Sequence, residues 1–570
     1  MSYIGAIDQG TTSTRFMIFD QSGKVISAAQ KEHTQILPQA GWVEHDPLEI
    51  LRATEAVIKE ALQAANLKGA DLAGVGITNQ RETTVAWSAL TGVPLHNAIV
   101  WQDTRSQGIL DLIPSKVAVD ITYKSGLPLA PYFSASKMSW MLGHSPIVQS
   151  ALDQQELLFG TIDSWLVWNL TDENIHVTDV SNASRTLLMN LETLDWDEAL
   201  LSAFGVPRKS LAQIKSSSEI YGYTSASGVF GARIPIAGIV GDQHAALLGQ
   251  LCFEKGESKT TYGTGNFALI NTGTDIVRST KGLLTTLAFQ LGDEPAKYAL
   301  EGSVAVTGSA VQWLRDQLGI IQSSAEIEPL ASSVADTAGV YFVPAFSGLF
   351  APYWRGDARG VIVGLTRAAT KAHIARATLE AICYQTLDVI RAMEEETGVA
   401  IKVLRVDGGV TQNQLCMQMQ ADILQTEVSR PVVAETTALG AAYAAGLAVG
   451  LWKNKEELLS QWEESNHWEP EVSAESAAAG LKGWKKAIER TLNWGITCAP
   501  SLGSDVKNRG DLNPASEKAF VMALSHFFTE SLLISAIALP PNPPPTIRAP
   551  SAPCSSAVST ARFNSGHETV

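Results

Sequence analysis

Two turns rich in glycine and threonine, each set between apolar runs, constrain this chain more than any other feature. The first is Asp8-Gln9-Gly10-Thr11-Thr12-Ser13-Thr14-Arg15, between Tyr3-Ile4-Gly5-Ala6-Ile7 and Phe16-Met17-Ile18-Phe19. The second is Lys259-Thr260-Thr261-Tyr262-Gly263-Thr264-Gly265-Asn266, which leads into Phe267-Ala268-Leu269-Ile270. Each reads as strand, tight polar turn, strand. One stands near the start of each half, which predicts two related domains. Small hydroxyl residues and glycine in such a turn aim backbone N–H groups and side-chain hydroxyls at one point, a concavity suited to a phosphate. An aspartate ending the first strand could hold a hydrated Mg²⁺ beside it. A hairpin with a merely polar tip explains either turn taken alone, so the remainder of the chain has to decide.

The remainder alternates strands and helices. Residues 1–30 read as a β-meander, with a second turn at Gln21-Ser22-Gly23-Lys24. Residues 47–66 read as a helix with Pro47 just inside its start and Leu48, Leu51, Ala56, Ile58 and Leu62 in rough helical period. Leu72-Ala73-Gly74-Val75-Gly76-Ile77 is a buried strand ending in a polar run to Thr84, and Val85-Ala86-Trp87 resumes a strand. Ile234 to Val240 reads as a strand, followed by Gly241-Asp242-Gln243-His244 and a helix over 245–251. Residues 371–397 form a long helix, 403–407 a strand that ends in Gly408-Gly409, and 437–452 an Ala- and Gly-rich helix made for close packing. This alternation predicts an α/β fold. The expected units are 1–250, 251–494 and a tail, 495–570, that is rich in Pro, Ser, Ala and Thr and expected to be disordered. Residues 520–539 are long enough to span a bilayer, but His526 and Glu530 would be costly there, so a membrane anchor is not expected.

Composition excludes some partners. The formal net charge of −16 argues against general binding to nucleic acid or anionic membranes. A polyanion site must then be built locally from dipoles, hydroxyls, a metal and a few arginines. Five scattered cysteines (Cys252, Cys383, Cys416, Cys498, Cys554) and an N-terminus that runs straight into a strand fit reduced thiols and a cytoplasmic setting. No G-x-x-x-x-G-K-[ST] or G-x-G-x-x-G sequence occurs, and the protein-kinase signature set is missing. A phosphate site of another kind is required: two hydroxyl-rich turns from two domains, facing each other across a cleft. Asp407-Gly408-Gly409 would let a nucleotide approach the backbone closely.

Eight stretches taken together resemble the FGGY carbohydrate kinases. They are residues 8–15, 79–84, Trp101-Gln102-Asp103-Thr104-Arg105, Pro131-Tyr132-Phe133-Ser134, Gly241-Asp242-Gln243, Tyr262-Gly263-Thr264-Gly265, Pro344-Ala345-Phe346-Ser347-Gly348-Leu349 and Asp407-Gly408-Gly409, in family order over about residues 1–494. The resemblance implies two actin-like (ribonuclease H-like) ATPase domains flanking a central cleft, closing over ATP·Mg²⁺ and a polyol. Within the family it points to members that phosphorylate glycerol to sn-glycerol 3-phosphate, and a homo-oligomer is expected. It implies that Asp242 is the general base; from spacing alone a helix N-cap is the preferred reading of Asp242. Arg81, Glu82, Trp101, Tyr132, Gln243 and Phe267 would surround the polyol by the same resemblance. Adjacent Arg81 and Glu82 can reach one ligand only from a turn, because neighbours in a strand point to opposite faces. Thr11, Thr12, Ser13, Arg15 and Thr264 would contact phosphates, Gly308, Gln312, Gly409 and Asn413 the nucleotide, and Asp8 the metal or its waters. Residues 224–233 lack the histidine that some members phosphorylate, and Gly231-Ala232-Arg233 keeps only part of a bisphosphate-binding loop. Two other readings remain open: a kinase of this fold for a larger polyol or ketose, and an actin-like nucleotide-binding protein without kinase activity.

Overall fold

The structure is a computed structural model that describes residues 2–494. The tail from 495, with Cys498, Cys554 and the apolar run 520–539, lies outside the described residues. Strands β1 (Tyr3–Gln9), β2 (Ser13–Phe19) and β3 (Val25–Glu32) form the expected antiparallel meander. The second turn is held by the Asp20 carboxylate, which accepts from Ser22 N and Lys24 N. Helix α1 (Pro47–Ala64) then crosses over, with Pro47 in its first turn and Asp46 capping it by accepting from Leu48 N at 2.8 Å. Its buried stripe is Ile50, Ala53, Val57, Ile58, Ala61 and Leu62. The expected phase is therefore corrected: Leu48 is exposed and Leu51 and Ala56 only half-buried, because the cap sets the first turn at the surface.

Strand β4 (Leu72–Asn79) pairs parallel to β1, β6 (Pro235–Gly241) parallel to β4, and β5 (Ser218–Tyr223) antiparallel to β6. The six-stranded order is β5-β6-β4-β1-β2-β3. Val85–Ser88 is a strand as expected, but it pairs with Leu157–Gly160 in a separate two-stranded sheet. Helix α2 (Ser134–His144) belongs to the same insertion between β4 and β5. Helix α3 (Asp242–Gly249) starts at Asp242 itself, three residues earlier than expected.

The second sheet repeats the plan. Strands β7 (Ser258–Tyr262), β8 (Asn266–Gly273), β9 (Leu284–Phe289), β10 (Lys297–Val304), β11 (Val403–Asp407), β12 (Glu427–Pro431) and β13 (Glu464–Trp468) lie in the order β9-β10-β8-β7-β11-β12-β13. In both sheets a central strand (β1, β7) pairs antiparallel with its hairpin partner and parallel with a strand reached by a crossover. Helices α4 (Gly308–Asp316), α5 (Lys371–Thr397) and α6 (Gln414–Leu424) complete this half, whereas α7 (Thr436–Ala448) packs back on β6, β4 and β1 of the first sheet.

The halves are joined where α7 crosses α3. A Cβ on Gly440 would stand 1.9 Å from the Ala245 carbonyl oxygen, and one on Gly249 would stand 1.9 Å from that of Thr436. Only hydrogen side chains permit so close a backbone crossing. One continuous core contains Ile4, Ala6 and Val240 of the first sheet, Leu247 and Leu248 of α3, Leu269 of β8 and Ala441 to Ala445 of α7. The Ala- and Gly-rich segment thus does the packing work its composition predicts. Cys252, Cys383 and Cys416 are buried free thiols.

Candidate active site

The first turn projects from the β1–β2 hairpin. Gly10 N donates to Ser13 O at 2.9 Å and closes it. Its carbonyls are braced from behind: Gln35 Nε2 donates to Thr11 O and His33 N to Thr12 O. Thr12 is exposed at the tip. Thr11 Oγ1 accepts from Trp101 Nε1 at 2.9 Å, and Ser13 is buried with its hydroxyl accepting from Gln30. Arg15, half-buried, pairs at 2.5 Å with Glu435, just before α7 in the other half. Burial, reinforced by the charges of Asp242 and Glu435 and opposed by Arg15, pushes the Asp8 carboxyl up to about 6.

Beyond β4 the backbone turns at Glu82, whose φ is +62°, and Thr83 N donates to Arg81 O at 2.7 Å. This γ-turn is strained for a residue with a side chain. It frees Arg81 and Glu82 from strand alternation, as their use by one ligand requires. The two are not chiefly each other's partners, however: Arg81 Nε lies 3.9 Å from Glu82 Oε1. Arg81 instead donates to Glu301 of β10 at 2.5 and 3.1 Å and holds Asp242 through Nε at 3.0 Å. Glu82 accepts from Arg185 Nε at 2.7 Å, and Arg185 Nη2 also reaches Glu301 at 3.2 Å. The structure therefore closes a ring of two guanidinium groups and two carboxylates drawn from both halves, with Asp242 joined to it through Arg81.

Electrostatics sort the ring. Burial raises Glu82 above the usual carboxylate range, against the pull of Arg185 and then Arg81. Burial also works against ionised Glu301, but Arg185 and Arg81 together outweigh it and hold that carboxyl far below the usual range. The side chains of Arg81, Glu82 and Glu301 are 2% accessible, whereas that of Asp242 is 33% accessible. Asp242, held by Arg81, is thus the carboxyl of this cluster that is open to solvent. It is the first residue of α3, behind Gly241 at the cap, and its Oδ1 accepts from Gln243 N at 2.6 Å.

Around this ring lie the remaining polyol candidates. The rings of Trp101 and Tyr132 meet edge to face at 5.2 Å. Lys137 of α2 fixes the Tyr132 turn: its buried ammonium donates to the carbonyls of Pro131, Tyr132 and Phe133. Burial pushes Lys137 down to about 7. Gln243 Oε1 accepts from Lys259 Nζ at 2.6 Å, and Lys259, pushed down to about 8 by burial, also reaches the carbonyl of half-buried Phe267 at 3.4 Å.

The second turn stands at the end of β7. Thr307 N and Ser309 N donate to Thr264 O, and Gly308 N donates to Gly263 O. A Cβ on Gly308 would stand 2.5 Å from that Gly263 oxygen, so the start of α4 is pressed onto the turn. Gly408, at φ +92°, passes so near that a Cβ would meet Tyr262 O at 2.4 Å, while a Cβ on Gly409 would meet open space. Thr264, Gln312 and Gly409 are exposed. Asn413 caps α6 by accepting from Cys416 N at 2.8 Å.

Comparison with known proteins agrees with this geometry. Residues 3–249 match the N-terminal domain of the FGGY family of carbohydrate kinases, and residues 259–449 match its C-terminal domain. The chain belongs to this family. Glycerol kinase 1 of Streptomyces coelicolor is 61% identical over 498 residues, which is 86% of this chain and 98% of that protein. A glycerol kinase of Mycobacterium tuberculosis is 58% identical over 86% of this chain and 96% of its own length. The crystal structure of Plasmodium falciparum glycerol kinase with ADP superposes with a TM-score of 0.82 at 38% identity, covering 86% of this chain and 98% of that one. A ligand-bound xylulose kinase from Lactobacillus acidophilus, 22% identical with a TM-score of 0.76, shares the fold. This FGGY chain thus has the two-domain, actin-like α/β architecture of its family.

The FGGY motifs located most of this neighbourhood, but they left out Arg185, Glu301, Lys137 and Lys259. Glu301 and Lys259 carried a usable signal, since each is a charge inside an otherwise buried strand. Arg185 carried none, because its partner Glu82 lies 103 residues away.

Proposed function

We propose that this FGGY kinase transfers the γ-phosphoryl group of ATP to glycerol, giving sn-glycerol 3-phosphate and ADP. The observation that carries the reading is Asp242: an accessible carboxylate, held by Arg81, on a ring of charges beside the first hydroxyl turn. Named glycerol kinases at 58–61% identity support the substrate, and the ADP-bound relative supports the nucleotide. Residues 1–250 and 251–494 are taken as the two lobes.

In this reading Arg81 and Glu82 offer donors and acceptors to adjacent hydroxyls, with Tyr132 and Gln243 beside them, and Trp101 and Phe267 cover the carbon chain. Asp242 accepts a hydrogen bond from the terminal hydroxyl and aims its oxygen at the γ-phosphorus. A carboxylate is a far weaker base than an alkoxide, so its proton moves late, as the new P–O bond forms and the bond to ADP breaks. Thr11, Thr12, Ser13 and Thr264 hold phosphate oxygens from the two turns. Arg15, released from Glu435, neutralises charge on the transferring group. Gly308, Gln312, Gly409 and Asn413 line the nucleotide.

Among the described residues, no group of three or more His, Cys, Asp or Glu could hold a metal. Asp8 alone fits Mg²⁺, which keeps several waters and takes phosphate oxygens as ligands. The negative charges of Asp242 and Glu435, which add to the effect of burial in raising Asp8, favour a cation there. When bound, Mg²⁺ would neutralise charge on the phosphate oxygens. Among the described residues no helix is long and apolar enough to cross a membrane, and we place the reaction in the cytoplasm.

The named glycerol kinases at 58–61% identity favour a three-carbon triol over a ketose. A coupled ADP-release assay across glycerol, longer polyols and ketoses tests the reading. Turnover with glycerol far above the rest is expected; turnover with a pentulose alone selects the runner-up, and ATP hydrolysis indifferent to every polyol rejects kinase activity.

A further inference from the structure

Arg185 is fully buried, follows the short helix Val180–Ala183 and is fixed by it. Asp179 caps that helix by accepting from Ser181 N and Asn182 N, and Arg185 N donates to Asn182 O at 3.0 Å. Its guanidinium spans two carboxylates, Glu82 at 2.7 Å and Glu301 at 3.2 Å, and its carbon lies 5.4 Å from the Phe133 ring and 5.9 Å from that of Tyr132. Its Nη1 has no hydrogen-bonding partner among the described residues. The Glu82 backbone is pinned independently: Ser134 Oγ and Thr84 Oγ1 both donate to Glu82 O at 3.0 Å. What remains to be set at Glu82 is the direction and charge of its carboxyl, and Arg185 makes the short contact to it.

We propose that Arg185 is a positioning residue of the polyol site: it holds the Glu82 carboxylate in one orientation and in its charged form, able to accept hydrogen bonds from two hydroxyls at once. The proposal rests on the polyol reading of Glu82. The charged and titratable groups facing Glu82 are Arg185, Arg81 at 3.9 Å, Glu301, Tyr132 and Lys137. Arg81 is already committed to Glu301 and Asp242, and Lys137 to three carbonyls, so neither replaces Arg185. Burial favours the protonated carboxyl and Arg185 is the strongest opposing influence. Without it Glu82 takes a proton at higher pH, its hydroxyl donates where it should accept, and glycerol binds poorly.

The sign follows. The competent form of Glu82 is the ionised one, so loss of Arg185 moves the acid limb of kcat/KM for glycerol to higher pH, and raising the pH restores part of the activity. The test uses the full chain with Arg185→Gln and Arg185→Lys, measured from about pH 6 to about pH 9. Arg185→Gln is expected to raise the KM for glycerol at neutral pH by at least about 10-fold, the scale of one charge-assisted hydrogen bond. The KM for ATP should stay within about 2-fold. The deficit should shrink at alkaline pH, and Arg185→Lys should fall between the two. In a Glu82→Gln background the pH-dependent part should vanish, since the titrating group is gone. If Arg185→Gln does not fold, the Arg185→Lys profile decides. An unchanged KM, or a deficit equal at every pH, overturns the proposal while leaving wild-type glycerol turnover intact. A wild type inert toward glycerol overturns the glycerol reading and the proposal with it.

Discussion

Arg81, Glu82, Arg185 and Glu301 of the proposed polyol site are each no more than 3% accessible and are neutralised by one another. At the proposed nucleotide site Thr264, Gln312 and Gly409 are exposed and uncharged, and the shape is made by backbone pressed against backbone. The difference teaches how an acidic protein can handle both substrates. On the proposed assignment, a small neutral triol would be recognised by fixed charges, which reject a misplaced hydroxyl because a buried charge is then left unsatisfied. A polyphosphate brings its own charge, so backbone N–H groups, hydroxyls and one or two cations suffice.

If this contrast is right, the polyol side should be the more costly to disturb. Arg81→Met leaves Glu301 and Glu82 with one guanidinium between them, and we expect a loss of about 3–5 kcal/mol in denaturant unfolding, the scale for breaking a buried ion pair. Gly408→Ala should cost less, about 1–3 kcal/mol, from a side chain forced to φ +92° against the Tyr262 carbonyl; a larger loss than for Arg81→Met would reverse the comparison. Smallest of all is Glu435→Gln, just before α7. The Arg15–Glu435 pair is 35% and 43% accessible, and an exposed pair is worth about 1 kcal/mol at most. A melting temperature clearly below wild type would show that this contact locks the lobes and is not a pair that opens for phosphate.

Much of the fold could be read from local pattern. The β1–β2 and β7–β8 hairpins announce themselves because turn chemistry and apolar runs lie within a few residues of each other, and the Ala- and Gly-rich α7 is legible because close packing demands small side chains. The phase of α1 was not, since the Asp46 cap and Pro47, rather than the nearest leucines, set which face turns inward. At the site, sequence placed Arg81 beside Glu82 but could not show that each is spoken for elsewhere. Arg81 finds Glu301 220 residues on and Glu82 finds Arg185 103 residues on, contacts that only the tertiary fold creates. Asp242 illustrates the same limit, because a helix-starting aspartate reads as a cap until its accessible carboxyl is seen against Arg81.

The central claim is that Asp242 acts on the hydroxyl and does not merely help to hold the polyol. Asp242→Asn keeps size and polarity while removing the basic carboxylate. Steady-state kcat with saturating glycerol and ATP, read beside glycerol affinity from calorimetry, separates the two roles. The account predicts a fall in kcat of about 10²- to 10⁴-fold with glycerol affinity changed by no more than about 10-fold. A variant that turns over at close to the wild-type rate would contradict it.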